Sequence, residues 1–427
     1  MWRIAIPLAR LLLAGEQSPE AIELRAASMF GRDWRWLHSL ARRYLEAFAG
    51  STPRRRDVAR FLLRDRPFAA AWRRHRDKLA VVQHIMQSQR MRPAAAADAW
   101  NVPPIETLAD LADWLCLSPA ELDWYADLED RNRRHPMDQI RHYRYRVVAK
   151  RSGDPRLIEA PKSNMKAIQR RILADILNAI PSHPAAHGFV RGRSIQTFAA
   201  PHAGQPMVLR MDLREFFPSI AGARVQSLFR TAGYPEPVAD ALGGLCTATT
   251  PRAILRTLGA GPADRPHLPQ GAPTSPAIAN ACAYRMDCRL TGLARAAGAV
   301  YTRYADDLAF SGGEEFARRV QRYAAHVAAI AAEEGFAVNH RKTRVLSQAN
   351  RQCLAGIVVN AHPNIARGEY DRLKATLANC VLHGPHSQNR EGHPAFREHL
   401  LGRVAFVESV NTARGARLRA AYERIVW

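Results

Sequence analysis

The sequence predicts an α+β fold in which a mostly helical N-terminal region precedes a core of mixed helices and strands. Residues 1–100 place Ala, Leu and Arg at helical spacing and show no strand alternation. From about residue 140, aromatic and β-branched runs bounded by turns alternate with helical stretches until about residue 360. The final segment, 361–427, is helical and basic. A chain of 427 residues has room for two or three such lobes.

The charge of the chain is its most unusual bulk property. Lys and Arg number 62 against 39 Asp and Glu, which gives a formal net charge of +23. The hydrophobic content of 47% is that of an ordinary globular protein, so wholesale disorder is not expected. A surface this basic attracts polyanions, which makes nucleic acid the expected partner. Arginine-rich chains also arise from GC-rich coding, and composition alone leaves that interpretation open.

Residues 1–100 are predicted to form a basic helical extension. Between residues 51 and 100, 12 Lys and Arg accompany 4 Asp and Glu. This excess fits a solvated helix face and an RNA-binding face equally well. The first fifteen residues are apolar, but Arg3 and Arg10 interrupt the run. We therefore expect an amphipathic helix there, and neither a signal peptide nor a membrane span.

Residues 101–140 are predicted to form an acidic helical segment and linker. Residues 101–130 carry eight Asp and Glu and no Lys or Arg. The sequence Ser-Pro-Ala-Glu at 118–121 is a typical helix start, with a hydroxyl at the N-cap, Pro at N1 and an acid at N3. The segment either packs against the basic region or keeps nucleic acid away from one face.

Cysteine usage indicates a reducing compartment. The six cysteines stand at positions 116, 246, 282, 288, 353 and 380, with no Cys-x-x-Cys pair and no His at zinc-ligand spacing. We therefore expect free core thiols and a cytoplasmic location.

Two β-favouring runs flank a pair of adjacent carboxylates. Residues 300–310 read VYTRYADDLAF, which predicts a β-hairpin with Asp306 and Asp307 at its tip. Neighbouring, partly buried carboxylates repel each other, and a divalent cation between them removes that conflict. The alternative is a surface hairpin with a solvated acidic turn, because Tyr-Ala-Asp-Asp is a weak signal on its own.

A third acid lies at the end of an upstream apolar strand. Residues 208–220 read VLRMDLREFFPSI, so Asp212 follows a strand and precedes an aromatic pair. A carboxylate at a strand terminus can meet the hairpin acids across a sheet. Three carboxylates suit two Mg²⁺ ions, one to activate a 3′-hydroxyl and one to hold a triphosphate during in-line phosphoryl transfer.

A Pro/Gly-rich turn lies between these two acidic segments. Residues 268–280 read LPQGAPTSPAIAN, a turn that leads into a helix whose first N–H groups and hydroxyls are available to a ligand. Taken alone, this segment is only a capped loop.

The order of the three segments resembles the palm of reverse transcriptases, and their details resemble the bacterial retron group. The similarity runs from about Tyr143 to the C-terminus. It implies a right-hand polymerase, with fingers and palm in residues 141–360 and a helical thumb in residues 361–427. The long N-terminal extension resembles that of the myxobacterial branch.

The resemblance also implies a role for each matching residue. The metal ligands would be Asp212, Leu213, Asp306 and Asp307, with the three aspartates as catalytic residues. The implied cofactors are two Mg²⁺ ions, and the implied substrates are deoxynucleoside triphosphates. The implied nucleotide pocket contains a ring that excludes a ribose 2′-hydroxyl (Phe217), a lining amide (Gln270) and three cations (Lys150, Arg156 and Lys342).

Two short elements that resemble retron-specific motifs depart from the family pattern. The Asn-Ala-x-x-His element here begins with Phe198 and ends with His202, and the Val-Thr-Gly element is Leu354-Ala355-Gly356. Together with basic residues of the thumb, they are the candidate RNA contacts that the resemblance implies. The candidates are Arg193, His202, Leu354, Gly356, Arg390, Arg397 and Arg403.

The resemblance implies an RNA-directed DNA polymerase that copies part of a cognate structured non-coding RNA and keeps the RNA–DNA product. It also implies anti-phage defence and an effector protein as partner. Only 67 residues follow Asn360, too few for a thumb and a ribonuclease H domain, so RNA removal would need host ribonuclease H in trans. The alternatives are another defence-associated reverse transcriptase, a template-independent DNA polymerase, and a non-catalytic RNA-binding scaffold.

Overall fold

A computed structural model describes residues 1–84, 87–134, 139–149, 155–258 and 262–427. Its α-helices, in chain order, are α1 (Trp2–Leu13), α2 (Pro19–Phe30), α3 (Arg35–Ala47), α4 (Arg55–Arg64), α5 (Arg66–His75), α6 (Leu108–Leu115), α7 (Pro119–Ala126), α8 (Arg131–Arg134), α9 (Ser163–Asp175), α10 (Ile195–Ala199), α11 (Phe216–Ser219), α12 (Gly222–Thr231), α13 (Glu236–Cys246), α14 (Arg252–Leu258), α15 (Ser275–Ala296), α16 (Glu314–Glu333), α17 (Arg367–His383), α18 (Phe396–Val410) and α19 (Thr412–Glu423).

The strands are short, and all but β10 fall in the predicted core; β10 lies in the segment that was predicted to be helical. They are β1 (Tyr143–Ala149), β2 (Pro155–Pro161), β3 (Met207–Arg214), β4 (Ala299–Tyr304), β5 (Asp307–Gly312), β6 (Ala337–Val338), β7 (Arg344–Ser347), β8 (Cys353–Leu354), β9 (Ile357–Val358) and β10 (Asn364–Ile365). The predicted α+β class, with a helical N-terminal region, is confirmed. None of the described helices is both long and apolar enough to span a membrane.

The chain divides into two compact units. One unit combines residues 1–181 with residues 217–282, and the other combines residues 182–216 with residues 283–427.

The first unit begins with a helical module that has a hydrophobic core of its own. Apolar residues from α1 to α5 form this core, including Leu8, Leu40 and Phe68, which are fully buried. Local capping fixes where the helices start: Ser18 accepts from the N–H of Ala21 at the start of α2, and Pro19 stands at N1. The basic extension predicted for this region is therefore a packed helical module.

The acidic segment forms the helix pair α6 and α7. Ser118 and Glu121 make the predicted capping box, in which the Glu121 carboxylate accepts from the N–H of Ser118 at 2.8 Å. Both helices pack against α13, and α7 does so closely, because a Cβ added to Gly244 would lie 2.1 Å from the carbonyl oxygen of Ala126. The apolar sides of the acidic helices are thus used for packing.

The second unit is built on an antiparallel sheet with the order β4-β5-β3-β6, and β7 also pairs with β3. The helix α16 packs against β3, β5 and β6. In the register of β3 against β5, Met207 pairs with Gly312 and Asp212 pairs with Asp307. The predicted strand around residue 208 and the predicted hairpin around residue 306 are therefore neighbours in one sheet.

A buried ion pair joins β4 to α15 within the second unit. The Arg303 guanidinium donates to both carboxylate oxygens of Asp287 at 2.8 and 2.7 Å, and both side chains are fully buried. The Tyr301 hydroxyl donates to the same carboxylate at 2.8 Å. Removing one partner of such a pair typically costs about 3–5 kcal/mol, because the other charge stays buried. The position of β4, and of the hairpin that it begins, depends on this pair.

The C-terminal helices α17, α18 and α19 share a hydrophobic core. The segment 361–427, predicted to be helical, contains α17, which starts at Arg367, and α18, which continues to Val410. The helix α19, which begins with Asn411 as its N-cap, was not predicted individually.

Candidate active site

The acidic hairpin tip is a tight turn between β4 and β5. Ala305 adopts a left-handed conformation with φ of 55°, which costs a residue with a Cβ about 1–2 kcal/mol. Asp306 follows in the turn, and Asp307 is the first residue of β5. The turn is tied to β3 by a hydrogen bond of 2.8 Å from the N–H of Leu213 to the carbonyl oxygen of Asp306. The hairpin with acids at its tip is confirmed.

Asp212 lies next to this turn and is almost fully buried, with 4% of its surface exposed. The Lys342 ammonium donates to its Oδ2 at 2.9 Å, and the Asn339 amide donates to its Oδ1 at 3.2 Å. The N–H of Asn339 also donates to the backbone carbonyl of Asp212 at 2.7 Å. The loop after β6 therefore holds the Asp212 carboxylate in a fixed orientation. Lys342, expected in the nucleotide pocket, is brought to the carboxylate cluster.

Asp307 is held by a cation from its own sheet. The Arg210 guanidinium donates to Asp307 Oδ1 at 3.1 Å from Nε and at 3.0 Å from Nη2. Arg210 precedes Asp212 by two residues on β3, so the two side chains leave the same face of the sheet. Two cations, Arg210 and Lys342, thus offset the repulsion between carboxylates that the register brings together.

The surroundings of Asp306 disfavour its ionisation. Burial, together with the negative charges of Asp212 and Asp307, raises the pKa of Asp306 above its ordinary range. Carboxylate oxygens are the ligands that Mg²⁺ and similar hard cations prefer, so the chemistry of this cluster fits a divalent metal ion. As placed, no three His, Cys, Asp or Glu side chains in the described residues already form a metal-binding group. A metal ion would share the carboxylates of Asp212 and Asp307 with Lys342 and Arg210.

The backbone at Gly188 packs closely against the hairpin tip. A Cβ added to Gly188 would lie 2.5 Å from the backbone nitrogen of Ala305, a distance that no side chain can occupy. The neighbouring His187 donates its N–H to the carbonyl oxygen of Arg303 at 2.7 Å. Residue 188 must therefore be glycine for the turn to keep its position.

The Pro-Gln-Gly turn lies in the first unit, against β2. The N–H of Glu159 donates to the carbonyl oxygen of Gln270 at 2.8 Å. Gly271 has φ of 135°, and a Cβ there would lie 2.9 Å from the Glu159 carbonyl oxygen. The Ser275 hydroxyl at the start of α15 donates to the carbonyl oxygen of Pro269 at 2.8 Å. These contacts fix the backbone that carries the half-buried Gln270 side chain.

A buried polar cluster lies beneath this turn. His267 Nε2 and Glu159 Oε2 are 2.8 Å apart, and the Thr250 hydroxyl donates to Glu159 Oε1 at 2.9 Å. His267 is fully buried and Glu159 is 1% exposed. Burial lowers the pKa of His267, but the hydrogen bond and negative charge of Glu159 outweigh it and raise the pKa above 6.5. A buried histidine–carboxylate pair therefore connects β2 to the turn.

The remaining predicted pocket residues are only partly described. Arg156 is exposed on β2, where it pairs in register with Val148, and Phe217 is half-buried on α11. Both belong to the same unit as Gln270, whereas the carboxylates and Lys342 belong to the other. Lys150 lies outside the described residues.

The expected RNA contacts divide into buried and exposed residues. His202 is fully buried and bonds to Ser311 and Thr302 at 2.7 and 2.8 Å, and burial lowers its pKa to about 3. Leu354 lies with Phe198 in one hydrophobic cluster. The expectation of direct RNA contact by the side chains of His202 and Leu354 is therefore wrong. The other five candidates are exposed: Arg193, Gly356, Arg390, Arg397 and Arg403.

Sequence reasoning did not identify the partners of the acids. Arg210 had a usable signal, because residues i and i+2 of a strand share a face. Asn339 and the pair of Glu159 and His267 had none, since their partners are more than 100 residues away in the chain.

An antiparallel sheet that sets a strand carboxylate beside an acidic hairpin tip defines the palm class of nucleotide polymerases. The family model for reverse transcriptase (RNA-dependent DNA polymerase) matches residues 148–364. The chain is 42% identical to the retron Mx65 reverse transcriptase of Myxococcus xanthus over 75% of its own length and 72% of the relative's. It is 36% identical to the retron Mx162 reverse transcriptase of the same organism, over 75% and 69% of the two chains.

A more distant relative is the retron Ec86 reverse transcriptase of Escherichia coli, 30% identical over 65% of this chain and 79% of that protein. The chain belongs to the reverse transcriptase family, within the retron group and with its myxobacterial branch. It is therefore an RNA-directed DNA polymerase, which uses deoxynucleoside triphosphates and a divalent metal ion.

The close approach at Gly188 gives a prediction about activity. Gly188→Ala should lower the rate of DNA synthesis about 100-fold or more, because a displacement of about 1 Å at reacting groups has an effect of this size. The measurement is the rate of primer extension by the purified full chain. The control is Gly292→Ala in α15, where an added Cβ meets nothing within 4 Å. A G188A variant that extends primers within twofold of the wild-type rate would refute the assignment.

The buried His267–Glu159 pair gives a prediction about stability and pH. Because the folded-state pKa of His267 is raised, the pair contributes its full stability below the unfolded-state value of about 6.5 and loses it as pH rises through the folded-state value. His267→Gln should lower the free energy of unfolding by about 3–5 kcal/mol at pH 6, and by less at pH 9. Urea unfolding at both pH values measures the difference. The control His326→Gln, at an exposed position, should leave the free energy of unfolding unchanged at both pH values. A loss of stability in His267→Gln that is larger at pH 9 than at pH 6 would contradict the prediction.

Proposed function

We propose that this enzyme copies part of a cognate structured non-coding RNA into DNA and remains bound to the RNA–DNA product. The observation that carries the proposal is the convergence of Asp212, Asp306 and Asp307 at one edge of the sheet in a chain whose relatives are named retron reverse transcriptases. Part of the proposal is the division into an extension (1–100), an acidic segment (101–140), fingers and palm (141–360) and thumb (361–427).

The proposed catalytic residues are the three aspartates, and the proposed metal ligands are these residues and the backbone carbonyl of Leu213. Two Mg²⁺ ions, when bound, would activate the primer hydroxyl and neutralise charge on the triphosphate and on the departing pyrophosphate. Asn339 keeps the Asp212 carboxylate oriented. Lys342, with 52% of its side chain exposed, is long enough to leave Asp212 and meet the negative charge of the leaving phosphate. These side chains would therefore orient the carboxylates and supply positive charge to the leaving group.

The proposed nucleotide pocket combines cations with a steric limit. Lys150 and Arg156 would hold the triphosphate, and Gln270 would line the pocket on the turn that the Glu159–His267 pair fixes. Phe217, five residues after Asp212, would block a ribose 2′-hydroxyl and so select deoxynucleotides.

The proposed RNA contacts are the exposed residues Arg193, Gly356, Arg390, Arg397 and Arg403. Arginine donates to phosphate in a bidentate manner, and a residue without a side chain allows close approach of the RNA backbone. We further propose two protein partners, an effector protein and host ribonuclease H acting in trans. The proposed role is anti-phage defence, and the proposed location is the cytoplasm.

The first test concerns the aspartates and the template. Asp306→Asn/Asp307→Asn should lower DNA synthesis at least about a thousandfold, since both carboxylates act on charge that develops during the reaction. The readout is DNA made from dNTPs by protein purified with its RNA, followed by sequencing of the product. The control is Glu314→Gln/Glu315→Gln, another adjacent acid pair, with side chains 86% and 78% exposed on α16.

The outcomes separate the alternatives. Loss in the aspartate variant alone, with a product whose sequence matches the bound RNA, supports the proposal. Abundant DNA from RNA-free protein and dNTPs would instead indicate a template-independent polymerase. Unchanged synthesis in the aspartate variant would show that the catalytic assignment of these residues is wrong. Absence of DNA synthesis by the RNA-bound wild type would instead indicate a non-catalytic RNA-binding scaffold.

The second test concerns Phe217. Phe217→Ala should reduce the preference for dNTPs over rNTPs by about 10- to 200-fold, the range that steric discrimination in a pocket usually spans. The measurement is the ratio of kcat/KM for dCTP and CTP on one primer–template. Phe217→Tyr keeps the ring and should keep the preference. If F217A discriminates as well as the wild type, the steric limit lies elsewhere.

A further inference from the structure

The helices α4 and α5 of the N-terminal module carry a concentrated positive surface. Residues 54–78 contain ten Lys and Arg and three Asp, whereas residues 1–50 contain seven Arg and five Asp and Glu. The charge is therefore local and is not spread over the module. We define the basic α4–α5 surface by its exposed cations: Arg55, Arg56, Arg60, Arg64, Arg66, Arg73, Arg74, Arg76 and Lys78.

The arginines follow the helical period. Arg56, Arg60 and Arg64 are spaced by four residues and form one row along α4. The opposite side of the same helix is buried in the module core through Val58, Ala59 and Leu62. Like charges four residues apart destabilise a helix by a few tenths of a kcal/mol per pair. The row of arginines therefore lowers the stability of α4, so a contribution to folding does not explain its presence.

The acids of this segment do not neutralise the surface. Asp57 is shared among Arg54, Arg56 and Arg60 at 3.1, 3.9 and 3.7 Å. The Asp65 side chain is 5% exposed and is bound by Arg43, which lies on α3. Within the described part of the chain, the salt bridges leave six of the exposed side-chain cations without a carboxylate partner: Arg55, Arg64, Arg66, Arg73, Arg74 and Lys78.

We propose that the basic α4–α5 surface binds the phosphate backbone of double-stranded RNA, as a second contact of the enzyme with its structured RNA. The inference rests on the proposed function for the identity of the polyanion. Guanidinium groups match phosphate oxygens in charge and geometry. The row on α4, together with the exposed arginines of α5, suits the regular charge of a duplex.

The chemistry of the surface argues against other partners. Protein interfaces need an apolar centre, but the large apolar residues of α4 and α5 lie in the module core or pack against it. Single strands bind on exposed aromatic rings, but Phe68 is buried, and Phe61 and Trp72 are partly buried against that core. What remains exposed is charge, which recognises a backbone without reading sequence.

The test compares two sets of four exposed arginines in the full-length protein. The variant R60Q/R64Q/R73Q/R74Q removes the centre of the surface, and R295Q/R318Q/R319Q/R322Q removes the same net charge from α15 and α16. The probe is a fluorescent 20-base-pair RNA duplex of arbitrary sequence, titrated at several salt concentrations. We expect at least tenfold weaker binding at 0.15 M salt for the first variant. The slope of log Kd plotted against log salt concentration should also fall by about three to four. This is the change expected for four lost phosphate contacts at about 0.9 each.

Further variants and probes keep the result interpretable. R60K/R64K/R73K/R74K retains the charge and should retain most of the salt slope, which distinguishes lost contacts from misfolding. Extension of an oligo(dT) primer on poly(rA) should stay at the wild-type rate in the first variant. If the wild type itself fails to extend this primer, the proposed function is wrong, whereas the binding comparison still tests this inference.

Four results would overturn the inference. They are equal loss of duplex binding in both glutamine variants, unchanged binding in R60Q/R64Q/R73Q/R74Q, tighter binding of a DNA duplex or a single strand than of the RNA duplex, and competition by polyglutamate as strong as that by RNA.

Discussion

The antiparallel register between β3 and β5 sets Asp212 opposite Asp307 and brings like charges together inside a folded sheet. Much of the surrounding structure can be understood as a response to that juxtaposition. Arg210 binds Asp307, Lys342 and Asn339 bind Asp212, and the pKa of Asp306 rises. A slip of one residue would turn every side chain of β3 to the other face and separate the acids. The strand register that folds this unit therefore also determines where its charged side chains lie.

Each unit also contains a buried charge pair that positions a functional segment. Arg303 and Asp287 fix the strand that leads into the acidic turn, and His267 and Glu159 fix the turn that carries Gln270. Such pairs add little net stability over apolar residues of the same volume, but losing one partner is severe. Their value here is geometric, since a charged hydrogen bond tolerates less displacement than an apolar contact.

Local patterns were sufficient for the elements and for the acids themselves. The hairpin at residue 306, the strand before Asp212 and the capped helix at Ser118 all follow from spacing of two or 3.6 residues and from turn chemistry. The partners of those residues could not be predicted, because Asn339 meets Asp212 across 127 residues of chain and His267 meets Glu159 across 108. Burial was equally hidden, since His202 reads as a polar, accessible residue and is instead a core hydrogen-bonding group. Tertiary packing, which no local pattern encodes, decided these cases.

The two elements that depart from the retron pattern lie in one hydrophobic cluster, where Phe198, Leu354, Ile357 and Val359 are all fully buried. Residues that share a core in this way do not vary independently, because a change of volume at one position alters the space left for the others. Phe198 and Leu354, although far apart in the sequence, therefore pack as parts of a single core. Chimaeras between retron enzymes that exchange only one of the two segments would inherit a mismatched core, whereas those that exchange both would carry an intact one.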